Sequence, residues 1–246
     1  MQSKNSALLV ADRVSLRFTD TPSAKSLAIK DLSLTVTPGE FVSIVGPSGA
    51  GKTTFLRLIA GLIEPTDGEI TRNYKRMAMI FQAYAIFPWL NLIDNAAFGL
   101  EMQGVPKKHR EGIAREKLIE VGLGGHEHKY PHELSGGMRQ RVSVARALAV
   151  SPELLLMDEP FSSLDSITSG KLKKDVLDIW GKYKMTVLMI NHLLSDAVEL
   201  SDRVIVVTRQ PAEIKKIFEI NLPRPRDTRS PEFFKLVDEL TRVIDE

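Results

Sequence analysis

The chain has 246 residues, 43% of them hydrophobic and 26% charged, with a formal net charge of +2. That is enough to bury a sizeable core, and the charge supplies no argument for a nucleic-acid partner. With no cysteine, disulfides, thiolate zinc sites and cysteine nucleophiles are excluded.

The N-terminal stretch Met1-Gln2-Ser3-Lys4-Asn5-Ser6 lacks the apolar region of a signal peptide. No apolar run approaches the roughly 18 residues of a membrane span. A soluble chain is expected, with any span supplied by another subunit. Residues 7–45 read as β-rich. Phe18 ends Val14-Ser15-Leu16-Arg17-Phe18 before a polar loop, and its ring is either an adenine-stacking face or an ordinary aromatic. Leu32, Leu34 and Val36 alternate with polar neighbours as in a half-exposed strand. Thr37-Pro38-Gly39-Glu40 is a turn leading into a buried strand, Phe41-Val42-Ser43-Ile44-Val45.

Next stands Gly46-Pro47-Ser48-Gly49-Ala50-Gly51-Lys52-Thr53, which fits the phosphate-loop pattern G-x-x-x-x-G-K-[ST]. Its glycines let backbone N–H groups turn inward around an anion. The following helix, from Thr54, points its positive end at the same anion. Lys52 adds a full charge for the β/γ-phosphates, and Thr53 offers a hydroxyl to Mg²⁺. Phe55, Leu58, Ile59 and Leu62 are expected on one apolar stripe.

Arg76 to Phe81 reads as a strand ending at Gln82, where an amide either meets Mg²⁺ or a water or is a plain loop residue. Helices are expected over Asn91–Gln103, stopped by Gly104 and Pro106, and over Lys107–Val121, closed by Gly122. The apolar run Ile86-Phe87-Pro88-Trp89-Leu90 is either core or an exposed socket for a partner. His126, His128 and His132 lie in a loop without the spacing or flanking carboxylates of a metal site.

Leu134-Ser135-Gly136-Gly137-Met138-Arg139-Gln140-Arg141 repeats the phosphate-loop logic: serine and glycines before a helix N-terminus, a second anion site. Leu154-Leu155-Leu156-Met157 is a short strand ending at Asp158 and Glu159. Beside a phosphate loop, Asp158 is suited to hold Mg²⁺ through water and Glu159 to activate an attacking water. Ser162-Ser163-Leu164-Asp165 is a polar loop before a helix. Thr186–Ile190 is a further strand, ending at Asn191-His192, and His192 either bonds the γ-phosphate or is structural. Val204–Thr208 and Ile217–Leu222 complete the β pattern. Pro223-Arg224-Pro225-Arg226-Asp227 reads as a stiff, extended linker whose arginines are solvated by default, with acidic surface or lipid headgroups as the alternative partners. Ser230 and Pro231 start a last helix striped by Phe233, Leu236, Val237, Leu240 and Ile244.

From near Leu8 to about Leu222 the chain resembles the ATP-binding subunits of ABC transporters. The phosphate loop, Gln82, the LSGG-type segment 134–141, the acidic strand end 154–160, Asp165 and His192 stand in that family's order. The LSGG-type segment discriminates it from other phosphate-loop proteins. The resemblance implies an α/β ATPase core: a mostly parallel sheet flanked by helices, an antiparallel β region and an inserted helical subdomain. The expected bounds are 1–83 and 150–222 for the core, 84–149 for the helical subdomain and 223–246 for a C-terminal linker and helix. It also implies ATP hydrolysis with Glu159, His192 and Gln82 as catalytic residues. Phe18 and Gly46 through Thr54 (Gly46, Pro47, Ser48, Gly49, Ala50, Gly51, Lys52, Thr53, Thr54) bind ATP, and Thr53, Gln82 and Asp158 hold Mg²⁺. In a head-to-tail dimer, Leu134, Ser135, Gly136, Gly137 and Gln140 cover the partner's nucleotide, and Asp165 lies at the interface.

Phe87-Pro88-Trp89-Leu90, Asp94 to Glu101 and Leu222 to Arg226 look most like importers of nitrate, sulfonate, taurine or bicarbonate. That implies integral membrane permease subunits docking near Gln82 to Leu90, an extracytoplasmic solute-binding protein and a peripheral place on the cytoplasmic face of the membrane. A lipid-moving transporter is the alternative, with a non-transport ATPase behind it. Three positions depart from the family pattern: Leu193 where Asp is common, Phe18 for Tyr and Asn191 for Thr.

Overall fold

The computed structural model describes residues 7–18 and 27–246. The expectations about Met1 to Ser6 and about the polar loop after Phe18 lie outside those residues. The chain runs β1 (Leu9–Arg17), β2 (Leu27–Val36), β3 (Phe41–Val45), α1 (Lys52–Ile59), β4 (Asp67–Arg72), β5 (Met77–Ile80), α2 (Leu92–Met102) and α3 (Lys107–Glu120). It continues through α4 (Gly136–Ala149), β6 (Leu154–Asp158), α5 (Ser166–Tyr183), β7 (Thr186–Ile190), α6 (Leu194–Leu200), β8 (Arg203–Val207), β9 (Ile214–Glu219) and α7 (Pro231–Asp245). These gather into two compact units, Met1–Tyr74 with Lys184–Glu246, and Lys75–Tyr183. The α/β class expected from the sequence is what folds.

In the first unit, β1 pairs antiparallel with β2 and β4, while β3 lies parallel between β7 and β8, and β9 closes antiparallel on β8. Strands β3 and β7 are buried at every residue, which is why they read as unbroken apolar runs. In β3 the exception is Ser43, whose hydroxyl is bonded to Ser201 and accepts from Asn191 Nδ2 at 2.9 Å. The half-exposed strand β2 buries Leu32, Leu34 and Val36 and exposes Ser33 and Thr35. Helix α1 buries Phe55, Leu58 and Ile59, but Leu62 is 60% exposed. The expected four-residue stripe stops short because the helix ends at Ile59 and Gly61 turns the chain at φ 70°.

The C-terminal segment also departs from expectation. Arg224 and Arg226 are drawn inward instead of being solvated. Arg224 Nη1 pairs with Asp202 Oδ1 at 2.5 Å, and Arg226 donates to the carbonyls of Val198, Glu199, Ser201, Ile220 and Leu222. Helix α7 is capped by Ser230, whose Oγ accepts from the Phe233 N–H at 3.2 Å. Its stripe packs on a core of Val45, Ala197, Val198, Val204, Val206, Phe218 and Ile220.

In the second unit β5 and β6 run parallel, Ile80 opposite Met157, which sets Gln82 and Glu159 just past neighbouring strand ends. Helices α2, α3 and α4 pack together beside them. Asn91 caps α2 by accepting from the Asp94 N–H, and Gly104 and Gly122, at φ 75° and 74°, turn the chain after α2 and α3. Glu120 gathers Lys117, Lys182 and Tyr183 around its carboxylate. Among the described residues, no helix is long and apolar enough to cross a membrane.

Candidate functional site

The loop 46–53 leaves the end of β3 and enters α1. Gly49 and Gly51 take φ 75° and 90°. A Cβ at Gly51 would lie 2.9 Å from the Ala28 carbonyl oxygen, whereas one at Gly49 would meet nothing within 4 Å. Conformation and space both require glycine at 51, and open room adjoins the backbone at 49. Gly51 occupies the N-cap position of α1 with no side-chain cap, and the first turn carries no acidic residue. The helix start, with no capping side chain from Gly51, turns backbone N–H groups and the positive end of the α1 dipole toward the loop. This arrangement fits a phosphate. Lys52 is 6% exposed, and its ammonium donates to the carbonyls of Gly46 at 2.8 Å and Pro47 at 2.9 Å. Thr53, half-buried, follows in the first turn.

At the end of β7, Asn191 is buried and tied to β3 by its N–H to the Ile44 carbonyl and its side chain to Ser43. This anchors the chain just before the exposed His192. Gly46, Pro47 and His192 line one hollow of about 680 Å³ with Leu194 and Arg209, so the structure brings the histidine to the start of the phosphate loop. Phe18, 49% exposed, follows β1.

In the other unit Asp158 is buried at the end of β6. Gln82 Nε2 donates to Glu159 Oε2 at 2.8 Å, joining two of the three expected catalytic side chains. Glu159 sits at φ 47°, and Tyr84 and Ala85 at 59° and 47°, conformations that cost an L residue about 1–2 kcal/mol. Arg146 supports the strained loop by donating to the Ala85 carbonyl at 2.7 Å, and burial pushes its guanidinium below the usual arginine range. Asp165 accepts from the N–H groups of Thr168 and Ile167, at the start of α5, and these bonds hold its carboxyl below the ordinary value. The candidate Mg²⁺ donors, the Thr53 hydroxyl, Gln82 amide oxygen and Asp158 carboxylate, are hard oxygen ligands of the kind that ion prefers.

Ser135 is the N-cap of α4, its Oγ accepting from the Met138 N–H at 3.3 Å, and it is exposed. Leu134 is buried beneath it. A Cβ at Gly137 would lie 2.3 Å from Thr168 Cγ2, and one at Gly136 would lie 3.1 Å from the Tyr84 hydroxyl. Both glycines therefore answer to packing within this chain as well as to any ligand. Gln140 is fully buried, both polar atoms of its amide included.

The apolar run 86–90 is neither plain core nor wholly exposed. Phe87 is half-buried against Phe98, ring centroids 4.4 Å apart, while Trp89 is 70% exposed. Asn95, fully buried, holds the loop: its Oδ1 accepts from the Phe87 N–H, and its Nδ2 donates to the carbonyls of Phe87, Leu90 and Asn91. Sequence reasoning gave Asn95 no such role. The available signal was a lone amide among Asn95-Ala96-Ala97 on the buried side of a helix.

A family model described as ABC transporter matches residues 29–162. An uncharacterized ABC transporter ATP-binding protein of Methanocaldococcus jannaschii is 45% identical, covering 88% of this chain and 84% of that one. A nitrate import ATP-binding protein of Synechocystis is 42% identical over 89% of this chain and 88% of its own. A solved dimeric ATP-binding cassette, in a post-hydrolysis state bound to ADP and Pi, superposes with a TM-score of 0.77 at 27% identity, covering 87% of this chain and all of the other.

Proposed function

The chain belongs to the ABC transporter family as an ATP-binding subunit, an ATPase, and we propose that it drives import of a small anion of the nitrate, sulfonate, taurine or bicarbonate class through separate membrane subunits. The observation that carries the ATPase site is the phosphate loop: glycines at positive φ leading into the start of α1, and Lys52 over the loop. In this reading Lys52 and the amides of 46–54 hold the β/γ-phosphates, and Phe18 stacks on the adenine. Thr53, Gln82 and Asp158 would hold Mg²⁺, which supplies positive charge against the phosphate oxygens. Glu159 takes a proton from the attacking water at its carboxylate, and His192 bonds the γ-phosphate. The Gln82–Glu159 bond supports this role by orienting that carboxylate.

In this reading the core lobe is 1–83 with 150–222 and the helical subdomain is 84–149, bounds drawn from motif order rather than from the compact units Met1–Tyr74 with Lys184–Glu246 and Lys75–Tyr183. Two such chains close head to tail, Ser135 and Gly137 of one covering ATP on the other, with Leu134, Gly136 and Gln140 shaping that helix start and Asp165 at the interface. The exposed cap Ser135 supports this, as does the dimeric state of the solved relative. ATP then joins the dimer, and hydrolysis removes the γ-phosphate contacts and loosens it. Trp89 and its loop receive the permease at the cytoplasmic face of the membrane, with an extracytoplasmic binding protein delivering solute. The 42% identity to a nitrate import protein supports the anion class.

The test of the shared site is Ser135→Ala. Hydrolysis is expected to fall while ATP affinity of the isolated monomer stays near normal. A large fall in monomer affinity would place Ser135 on its own chain's nucleotide. Import is tested by reconstitution with the neighbouring permease genes and uptake of each anion; uptake of none, with lipid movement instead, overturns the solute class.

A further inference from the structure

We propose that Arg224 and Arg226 are positioning residues for the His192 loop, acting through α6; this rests on the reading of His192 as a γ-phosphate contact. Helix α6 starts at Leu194, two residues past His192, and its N-cap position is Leu193, which makes no side-chain cap. Nothing in that leucine side chain can hold the helix start. The helix is held from its other end. The last carbonyls of a helix have no partner within it. Here Arg226 Nη1 donates to Val198 at 2.5 Å and Glu199 at 3.3 Å, and Arg224 Nη2 donates to Leu200 at 2.5 Å. Arg226 Nη1 also reaches Ser201 at 2.7 Å, just past the helix. Two guanidinium groups thus occupy the carbonyl end of α6, where positive charge is favoured. A planar fork of fixed donors suits several carbonyls at once, which a lysine ammonium does not match.

The clamp is itself anchored. Arg224 pairs with Asp202, whose other oxygen accepts from the Phe41 N–H at the start of β3. Arg226 Nε and Nη2 close on Leu222 and Ile220, so the chain leaving β9 is drawn against α6. Beyond it, α7 packs against α6 and adds Phe233 and Leu240 to the core that holds Val45, the residue before the phosphate loop, and on which Leu194 also packs. The arginines and α7 therefore form one brace behind β3 and behind the helix that carries His192. With seven residues and no side-chain cap at Leu193, α6 has little intrinsic stability beyond the favourable charge of Asp196 in its first turn. Its position, and that of the histidine before it, is set by this brace.

The experiment uses the full chain assembled as the active ATPase. Arg226→Ala is expected to lower kcat on the order of 10- to 100-fold, the scale of a small misplacement of a reacting group. KM for ATP should change less than about threefold, because the Lys52 ammonium is held within its own loop by the carbonyls of Gly46 and Pro47. In a His192→Ala background the same substitution should cost nothing further in kcat. Hydrogen exchange should quicken at residues 191–196 and stay unchanged at 46–60. Equal kcat losses in both backgrounds, or unchanged exchange at 191–196, overturn the brace. A His192→Ala variant with full kcat overturns the histidine's role instead, while the exchange result still decides whether the brace holds its loop. If Arg226→Ala does not fold, Arg226→Lys, which keeps the charge and loses the fork, and Arg224→Ala carry the same measurements.

Discussion

Replacing Glu159 with glutamine separates the chemistry of this site from its binding. The side chain keeps its size, and its oxygen can still accept the 2.8 Å bond from Gln82 Nε2. The positive φ of 47° at residue 159 costs Gln what it costs Glu. The difference between a charged and a neutral acceptor in one partly exposed hydrogen bond is about 1 kcal/mol or less. Loss of a general base removes about 10²- to 10⁴-fold in rate, equal to about 2.7–5.4 kcal/mol of barrier. The barrier term dominates, so the variant should fold with an unchanged melting temperature and bind ATP normally. It should release phosphate at 1% of the native rate or less, about the lower bound of that range. It should also accumulate as an ATP-bound dimer. Phosphate release at saturating Mg-ATP, nucleotide titration and light scattering read the three outcomes. Full steady-state hydrolysis would refute the base assignment. A fall in ATP affinity as large as the fall in kcat would make Glu159 a binding residue.

Gly51→Ala places a methyl group 2.9 Å from the Ala28 carbonyl at φ 90°; the left-handed conformation alone costs about 1–2 kcal/mol, and nucleotide titration should show affinity falling at least about tenfold. Asn95→Ala leaves the Phe87 N–H and three carbonyls without their side-chain partner. Thermal unfolding should report a loss of about 2–4 kcal/mol, with ATP binding by the isolated chain retained. Burial of Glu120 would raise its carboxyl, but hydrogen bonds from Lys182, Tyr183 and Lys117 bring it below the ordinary 4.5. A lowered carboxylate stabilises the fold above its unfolded value, and that contribution is lost as pH falls through the folded one. Glu120→Gln should therefore cost about 1–2 kcal/mol at pH 7, and denaturant titrations should find the gap closing below pH 4.5. A gap that does not narrow at all as the pH falls below 4.5 contradicts the assignment.

Much of the scaffold was legible because its determinants are local. An apolar run followed by glycines and a lysine specifies strand, loop and helix within 20 residues of sequence. The caps Asn91, Ser135 and Ser230 bond only three residues ahead, so spacing alone suffices to find them. Leu62 shows where periodicity misleads: the helix pattern ran on, but Gly61 had already ended the helix. Asn95 and Arg146 were not legible as loop supports, because their partners lie on a separate turn whose path no pattern states.

The sequence by itself determined the family, the fold class and the order of phosphate loop, signature segment and acidic strand end, since each is a short run of residues in fixed spacing. Only the tertiary structure decided that Arg224 and Arg226 turn inward. It also decided that Gly137 is required against Thr168 as much as for any nucleotide, and that Gln82 meets Glu159. The reason is physical: a guanidinium in Pro-Arg-Pro-Arg is satisfied equally by water or by the carbonyl end of a helix, and which one it meets depends on chain brought back from 22 to 28 residues away.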